Sequence, residues 1–101
     1  MEHNYKAWLK INDKPVAMNR FVEEFISHIS AGAVASLKGG DKIQNFAIHG
    51  EAGNIVISVN GTEIPLTPFP NDLIYNTLIG IISSLKDVGD IRSFDIRVEV
   101  G

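Results

Sequence analysis

The sequence has no cysteine. That excludes a disulfide scaffold and any thiolate-based metal or redox site. It also lacks a basic excess. The formal net charge is −3, whereas nucleic-acid-binding domains carry basic patches or stripes. No nucleic-acid partner is expected. Nor is there a long hydrophobic run: the longest, from Leu73 to Leu85, is broken by Asn76, Thr77, Gly80, Ser83 and Ser84. It is too short to span a bilayer, so no membrane partner is expected. The first residues, Met1 to Trp8, include Glu2, His3 and Lys6 and show no apolar core of a secretory signal. The expected location is the cytoplasm. Apolar residues make up 45% of the 101 positions, which is too many for a disordered chain and enough for one domain with a modest core.

What the sequence does contain is self-similarity. Sliding the chain by 48 positions lays Leu9 on Ile57 and runs without a gap to Gly53 on Gly101. Identical pairs include Asn12/Asn60, Phe21/Phe69, Ile26/Ile74, Gly32/Gly80, Ser36/Ser84, Leu37/Leu85, Phe46/Phe94, Ile48/Ile96 and Glu51/Glu99. Self-similarity at a fixed offset is the mark of a repeated unit. The expectation is a single domain, residues 1–101, made of two repeats, 1–53 and 54–101, with pseudo-two-fold symmetry.

Each repeat reads alike. Lys6–Ile11 and Ile55–Val59 alternate as strands. Asn60-Gly61 is a strong hairpin signal, because a type I′ turn needs positive φ at both central residues. Asn12-Asp13 is the weaker counterpart. Short second strands follow around Val16 and Ile64. Pro15 and Pro65 place them at a sheet edge or leave them only partly paired, since proline has no N–H to donate to a ladder. A helix comes next in each repeat, with Asn19 and Thr67 as N-caps and Pro68 at its first position. Gly39-Gly40 and Gly89 are the expected stops. Last come strands carrying Phe46 and Ile48, and Phe94, Ile96 and Val98. Gly50-Glu51-Ala52-Gly53 leaves room only for a turn between repeats.

The predicted fold class is α+β: tandem-duplicated β(β)αβ units forming a ferredoxin-like antiparallel sheet with two helices packed on one face. Full hairpins would permit helices on opposite faces. The layout resembles that of small regulatory ligand-binding domains. Their glycine-rich turn after the first strand is replaced here by Asn12-Asp13-Lys14-Pro15. The resemblance is one of fold and implies no activity.

Chemistry is sparse. His3, His28 and His49 have no ligand spacing, and the second repeat has Asn76 and Arg97 where the first has His28 and His49. No nucleophile motif is present. Gly39-Gly40-Asp41-Lys42 follows a helix, whereas a phosphate loop precedes one. No catalytic, cofactor-binding or metal residue is expected, and no cofactor. The matched small residues Gly32, Ser36, Gly80 and Ser84 predict a close helix–helix contact on the pseudo-two-fold axis, since Gly and Ser four apart share one helix face. Trp8 and Val56 fall on the sheet face away from the helices. Tyr75 and Ile79 add apolar bulk where the first repeat has Ser27 and Ala31. These four are the candidate interface residues.

The expected function is binding or assembly without catalysis, with a homo-oligomer as the expected partner. A small-molecule regulatory domain, its pocket at the junction of the repeats, is the alternative. The charge of −3 belongs to residues 54–101, which carry three basic and six acidic side chains; residues 1–53 carry six of each.

Overall fold

The computed structural model describes residues 5–38, 42–85 and 89–100. Its elements run β1 (Tyr5–Ile11), β2 (Lys14–Val16), α1 (Arg20–Lys38), β3 (Asn45–Glu51), β4 (Asn54–Val59), β5 (Thr62–Ile64), α2 (Pro68–Ile82) and β6 (Ser93–Val100). His3 and the Gly39-Gly40-Asp41 helix stop lie outside the described residues.

Three two-residue turns join consecutive strands. Asn12-Asp13 have φ of 52° and 67°, Ala52-Gly53 of 52° and 82°, and Asn60-Gly61 of 51° and 86°. All have both central residues in the left-handed region, the conformation whose twist matches the flanking strands. The linker between the halves is therefore a hairpin of the same kind as the other two.

The strands form one six-stranded sheet in the order β2-β1-β6-β3-β4-β5, every neighbouring pair antiparallel. Three-residue strands form the two edges: β2 contains Pro15, and β5 ends at Ile64, just before Pro65. Register brings one row of side chains across all six strands: Val16, Leu9, Ile96, Ile48, Ile57 and Ile64. Leu9, Ile96, Ile48 and Ile57 are buried. Alternation puts Ile11, Phe46, Ile55, Val59, Phe94 and Val98 on the same face, and these too are buried. Ile26 and Val34 of α1 and Ile74, Leu78 and Ile82 of α2 close the core over them. Both helices therefore cover one face, and the two-faced arrangement does not occur. Gly50 faces the Phe94 ring, which occupies the space a Cβ would need.

The sheet order also separates the helices. α1 packs on β1, and α2 packs on β4. Those strands are three places apart, roughly 14 Å, while packed helices sit about 8–10 Å apart. This corrects the expected contact at Gly32, Ser36, Gly80 and Ser84. Both glycines are exposed, and a Cβ on either would meet nothing within 4 Å. The serine hydroxyls instead bond back within their own helices, Ser36 to the Gly32 carbonyl and Ser84 to the Gly80 carbonyl, each at 2.9 Å.

Two helix ends differ from expectation for local reasons. Asn19 caps α1, its Oδ1 accepting the Val22 N–H at 2.8 Å. Thr67 takes the N-cap position of α2 but makes no side-chain capping bond. Its third helical residue is Pro70, which has no N–H to offer. α2 stops at Ile82, short of the expected stop at Gly89. Ser83 bonds back to the Ile79 carbonyl at 2.7 Å, and Ser84 N and Leu85 N reach three residues back at 3.1 Å. Such bonds tighten a helix end into a 3₁₀ turn.

Candidate functional site

Two surfaces compete as the working face. The first is the open side of the sheet, where sequence alternation placed Trp8, Val56 and His49. A shallow depression of about 550 Å³ lies there. Trp8 and Arg97 are cross-strand neighbours. The guanidinium carbon of Arg97 stands 4.5 Å from the Trp8 ring centre, in reach of a cation–π interaction, and Arg97 donates to Glu99 at 3.2 Å. His49 faces Asp95 across the β3–β6 pair. Its Nδ1 lies 2.6 Å from Asp95 Oδ1 and its Nε2 3.1 Å from Glu51 Oε1.

Hydrogen bonding to Asp95 first, and then to Glu51, raises the His49 pKa above its ordinary value of 6.5, against a smaller opposing effect of burial. A carboxylate can only accept. The protonated ring, a donor at both nitrogens, is the form both partners favour. With both nitrogens engaged, the ring has none left to take a proton from a substrate. His49 and Arg97 are thus each engaged by carboxylates of the same face.

Asp95 and Glu51 were missed as partners of His49. Both carboxylates point outward by alternation, but only the pairing of β3 with β6 brings Asp95, 46 residues away, to the histidine. His28 lies elsewhere, exposed on α1, edge-on to Tyr5 with ring centres 5.1 Å apart. Among the described residues, no cluster of three or more His, Asp or Glu is placed to hold a metal ion.

Of the four candidate interface residues, Trp8 and Val56 are each 44% exposed on the sheet face. Tyr75 and Ile79 are partly buried and pack against the core of their own chain, with the Tyr75 ring centre 6.0 Å from that of Phe94. The extra bulk on α2 is therefore spent inward.

The second surface lies between the helices. Because α1 and α2 sit over β1 and β4, they leave a groove of about 490 Å³ above the central strands. Ile29, Ala33, Ser36 and Leu37 form one wall, and Phe69, Pro70, Leu73, Ile74, Thr77 and Leu78 form the other. The C-terminal half of α1 thus faces the N-terminal half of α2. Among the described residues, no charged side chain lines the groove. Its two hydroxyls are turned to their own helices: Ser36 to Gly32 at 2.9 Å and Thr77 to the Leu73 carbonyl at 2.7 Å.

The apolar surface continues beyond the groove. Phe25 and Phe21 extend the Ile29 stripe one and two turns toward the start of α1, and their rings stack with centres 5.9 Å apart. Phe21 is 72% exposed, Phe69 73% and Leu73 54%. Phe21 and Phe25 share the apolar stripe of α1 yet stand outside the core.

Among the described residues, no helix is long and apolar enough to cross a membrane. Comparison with protein-family models, with characterised proteins and with solved structures found no match.

Proposed function

We propose that the chain is a non-catalytic binding or assembly domain whose working surface is the apolar groove between α1 and α2. One observation carries this reading: large apolar side chains stand exposed along both helices, around a groove whose described lining has no charge and whose two hydroxyls donate within their own helices. Contiguous exposed apolar surface of this kind marks interaction sites. On the opposite face His49 and Arg97 are engaged by neighbouring carboxylates, and the most exposed large apolar side chains stand on the helices instead.

The same proposal takes the domain as two fused β-β-α-β units. The sheet order supports it, since exchanging β1, β2 and β3 for β4, β5 and β6 returns the same order reversed. The hydrogen bonds of Asn12 and Asn60 match at the same offset as the sequence pairs. The ferredoxin-like reading is retained for the layering alone, two helices over one face of an antiparallel sheet, with the closing strand of each unit at the centre.

A small-molecule regulatory domain is the second reading. The groove lies at the junction of the units, and its volume falls within the ~300–1,000 Å³ of ligand pockets. Such pockets also place a few polar groups to orient the ligand, and here the hydroxyls are turned away.

The test is binding of the apolar dye 8-anilinonaphthalene-1-sulfonate (ANS) at low protein concentration. Enhanced fluorescence is expected, lost in Leu73→Glu and retained in Trp8→Glu. A monomer that gives no enhancement, or an enhancement that follows Trp8, would overturn the reading.

A further inference from the structure

The groove is open, and its chemistry restricts what can close it. A polar ligand finds few groups to bond, because the Ser36 and Thr77 hydroxyls donate within their own helices and can only accept from it. A charged partner finds no counter-charge among the described residues of the lining. The occupant must itself present an apolar ridge.

This chain presents such a ridge. Phe21 and Phe69 are 72% and 73% exposed, each at the first turn of its helix, so the chain carries both protruding rings and a slot to receive them. A two-fold interface needs that combination, since the same patch must serve on both partners. The two aromatic knobs also stand at matched places on two helices that run in opposite directions. The patch can therefore meet its own copy with ridge opposite groove on both sides of the axis.

The area is also of the right size. Taking a fully exposed Phe as about 200 Å², Phe21 and Phe69 offer on the order of 300 Å² between them. Phe25, Ile29 and Leu73 bring the total to roughly 500 Å² per chain on the same scale. A standard interface removes about 800 Å² per partner, of which ~56–65% is apolar. The exposed helix face supplies about what one partner in a stable dimer contributes.

We propose that a second copy of this chain closes the groove, packed helix face to helix face about a two-fold axis. The proposal rests on the reading of the groove as the working surface and names its occupant. Phe21 and Phe69 are the anchors. The sheet face, with Trp8 under Arg97, stays in solvent.

The experiment is sedimentation velocity of the full chain from low to high micromolar concentration, on the native sequence and on Phe69→Glu, Phe21→Glu and Trp8→Glu. Both phenylalanines are exposed, so their replacement leaves the core intact, and circular dichroism checks this. The native chain and Trp8→Glu are expected to dimerise alike. Each phenylalanine variant is expected to raise the dissociation constant by about 30-fold or more, as the loss of one anchor does. A dimer unaffected by Phe69→Glu and Phe21→Glu, or one broken by Trp8→Glu, overturns the proposal. A native chain that stays monomeric overturns it as well, and ANS then separates two failures. A monomer whose dye binding is lost in Leu73→Glu keeps the groove as a binding surface for another occupant. A monomer without dye binding removes both readings.

Discussion

Asn12 and Asn60, 48 positions apart, hold the same set of hydrogen bonds. Asn12 Oδ1 accepts the N–H of Arg92 and of Ser93 at 2.7 and 3.0 Å, and its Nδ2 donates to the Asp90 carbonyl at 2.8 Å. Asn60 Oδ1 accepts the N–H of Gln44 and of Asn45 at 2.8 and 3.1 Å, and its Nδ2 donates to the Lys42 carbonyl at 2.9 Å. Each asparagine also sits at positive φ, opening a turn.

Equal roles predict equal costs. Asn12→Ala and Asn60→Ala each leave two backbone donors without an acceptor and force alanine into the left-handed region. Each should cost about 2 kcal/mol, read by urea denaturation. A loss below about 0.5 kcal/mol at both sites, or confined to one, would count against matched roles for the two turns.

A second pair guards the sheet edges. β2 covers β1 only from Leu9 to Ile11, and β5 covers β4 only from Ile57 to Val59. Beyond them, Glu23 accepts the Ala7 N–H at 3.0 Å, and Asn71 accepts the Ile55 N–H at 2.8 Å. Unpaired edge donors invite pairing with another chain. Glu23→Ala and Asn71→Ala should each lose about 1–2 kcal/mol and aggregate faster on warming, followed by light scattering. Glu23→Gln keeps an acceptor and should stay near the native value.

The exposed glycines make the opposite prediction. Glycine in a helix interior costs about 1 kcal/mol against alanine, and a methyl group at Gly32 or Gly80 meets open space. Gly32→Ala should raise the melting temperature, and Gly80→Ala should do so by less, being two residues from the helix end. A fall at either position would restore the close helix contact that the sheet order rules out.

His49 gives stability a pH dependence. Its folded pKa is raised by Asp95 and Glu51. The stabilisation is therefore fully present below 6.5, the ordinary value, and is lost as pH rises through the folded value. The side chains of His49 and Asp95 are 39% and 38% exposed, so solvent screening keeps the effect within about 1 kcal/mol. The native chain should exceed His49→Gln in stability at pH near 6 by more than at pH near 9. A gap that widens toward alkaline pH would contradict the assignment.

How much of this could be read in the sequence depended on the range of the cause. The tight turn at Asn60-Gly61, the short edge strands beside Pro15 and Pro65 and the inward faces of the long strands follow from local backbone chemistry and alternation, and they were legible. The sheet order was not, because it depends on which distant strands pair. That one fact moved the helices apart and emptied the expected contact at Gly32 and Gly80. It also brought Asp95 to His49. The missing cap bond at Thr67 was local, but it turned on Pro70 three residues on, where the donor a cap would use is absent.

The central claim is that the helix face meets partners and the sheet face does not. Backbone amide NMR of the full chain, recorded over a concentration series, tests this most directly. The account predicts concentration-dependent shifts concentrated at Phe21, Phe25, Ile29, Phe69 and Leu73, with Trp8, Val56 and Arg97 unchanged. Shifts gathered at Trp8, Val56 and Arg97, with the helix face silent, would contradict it.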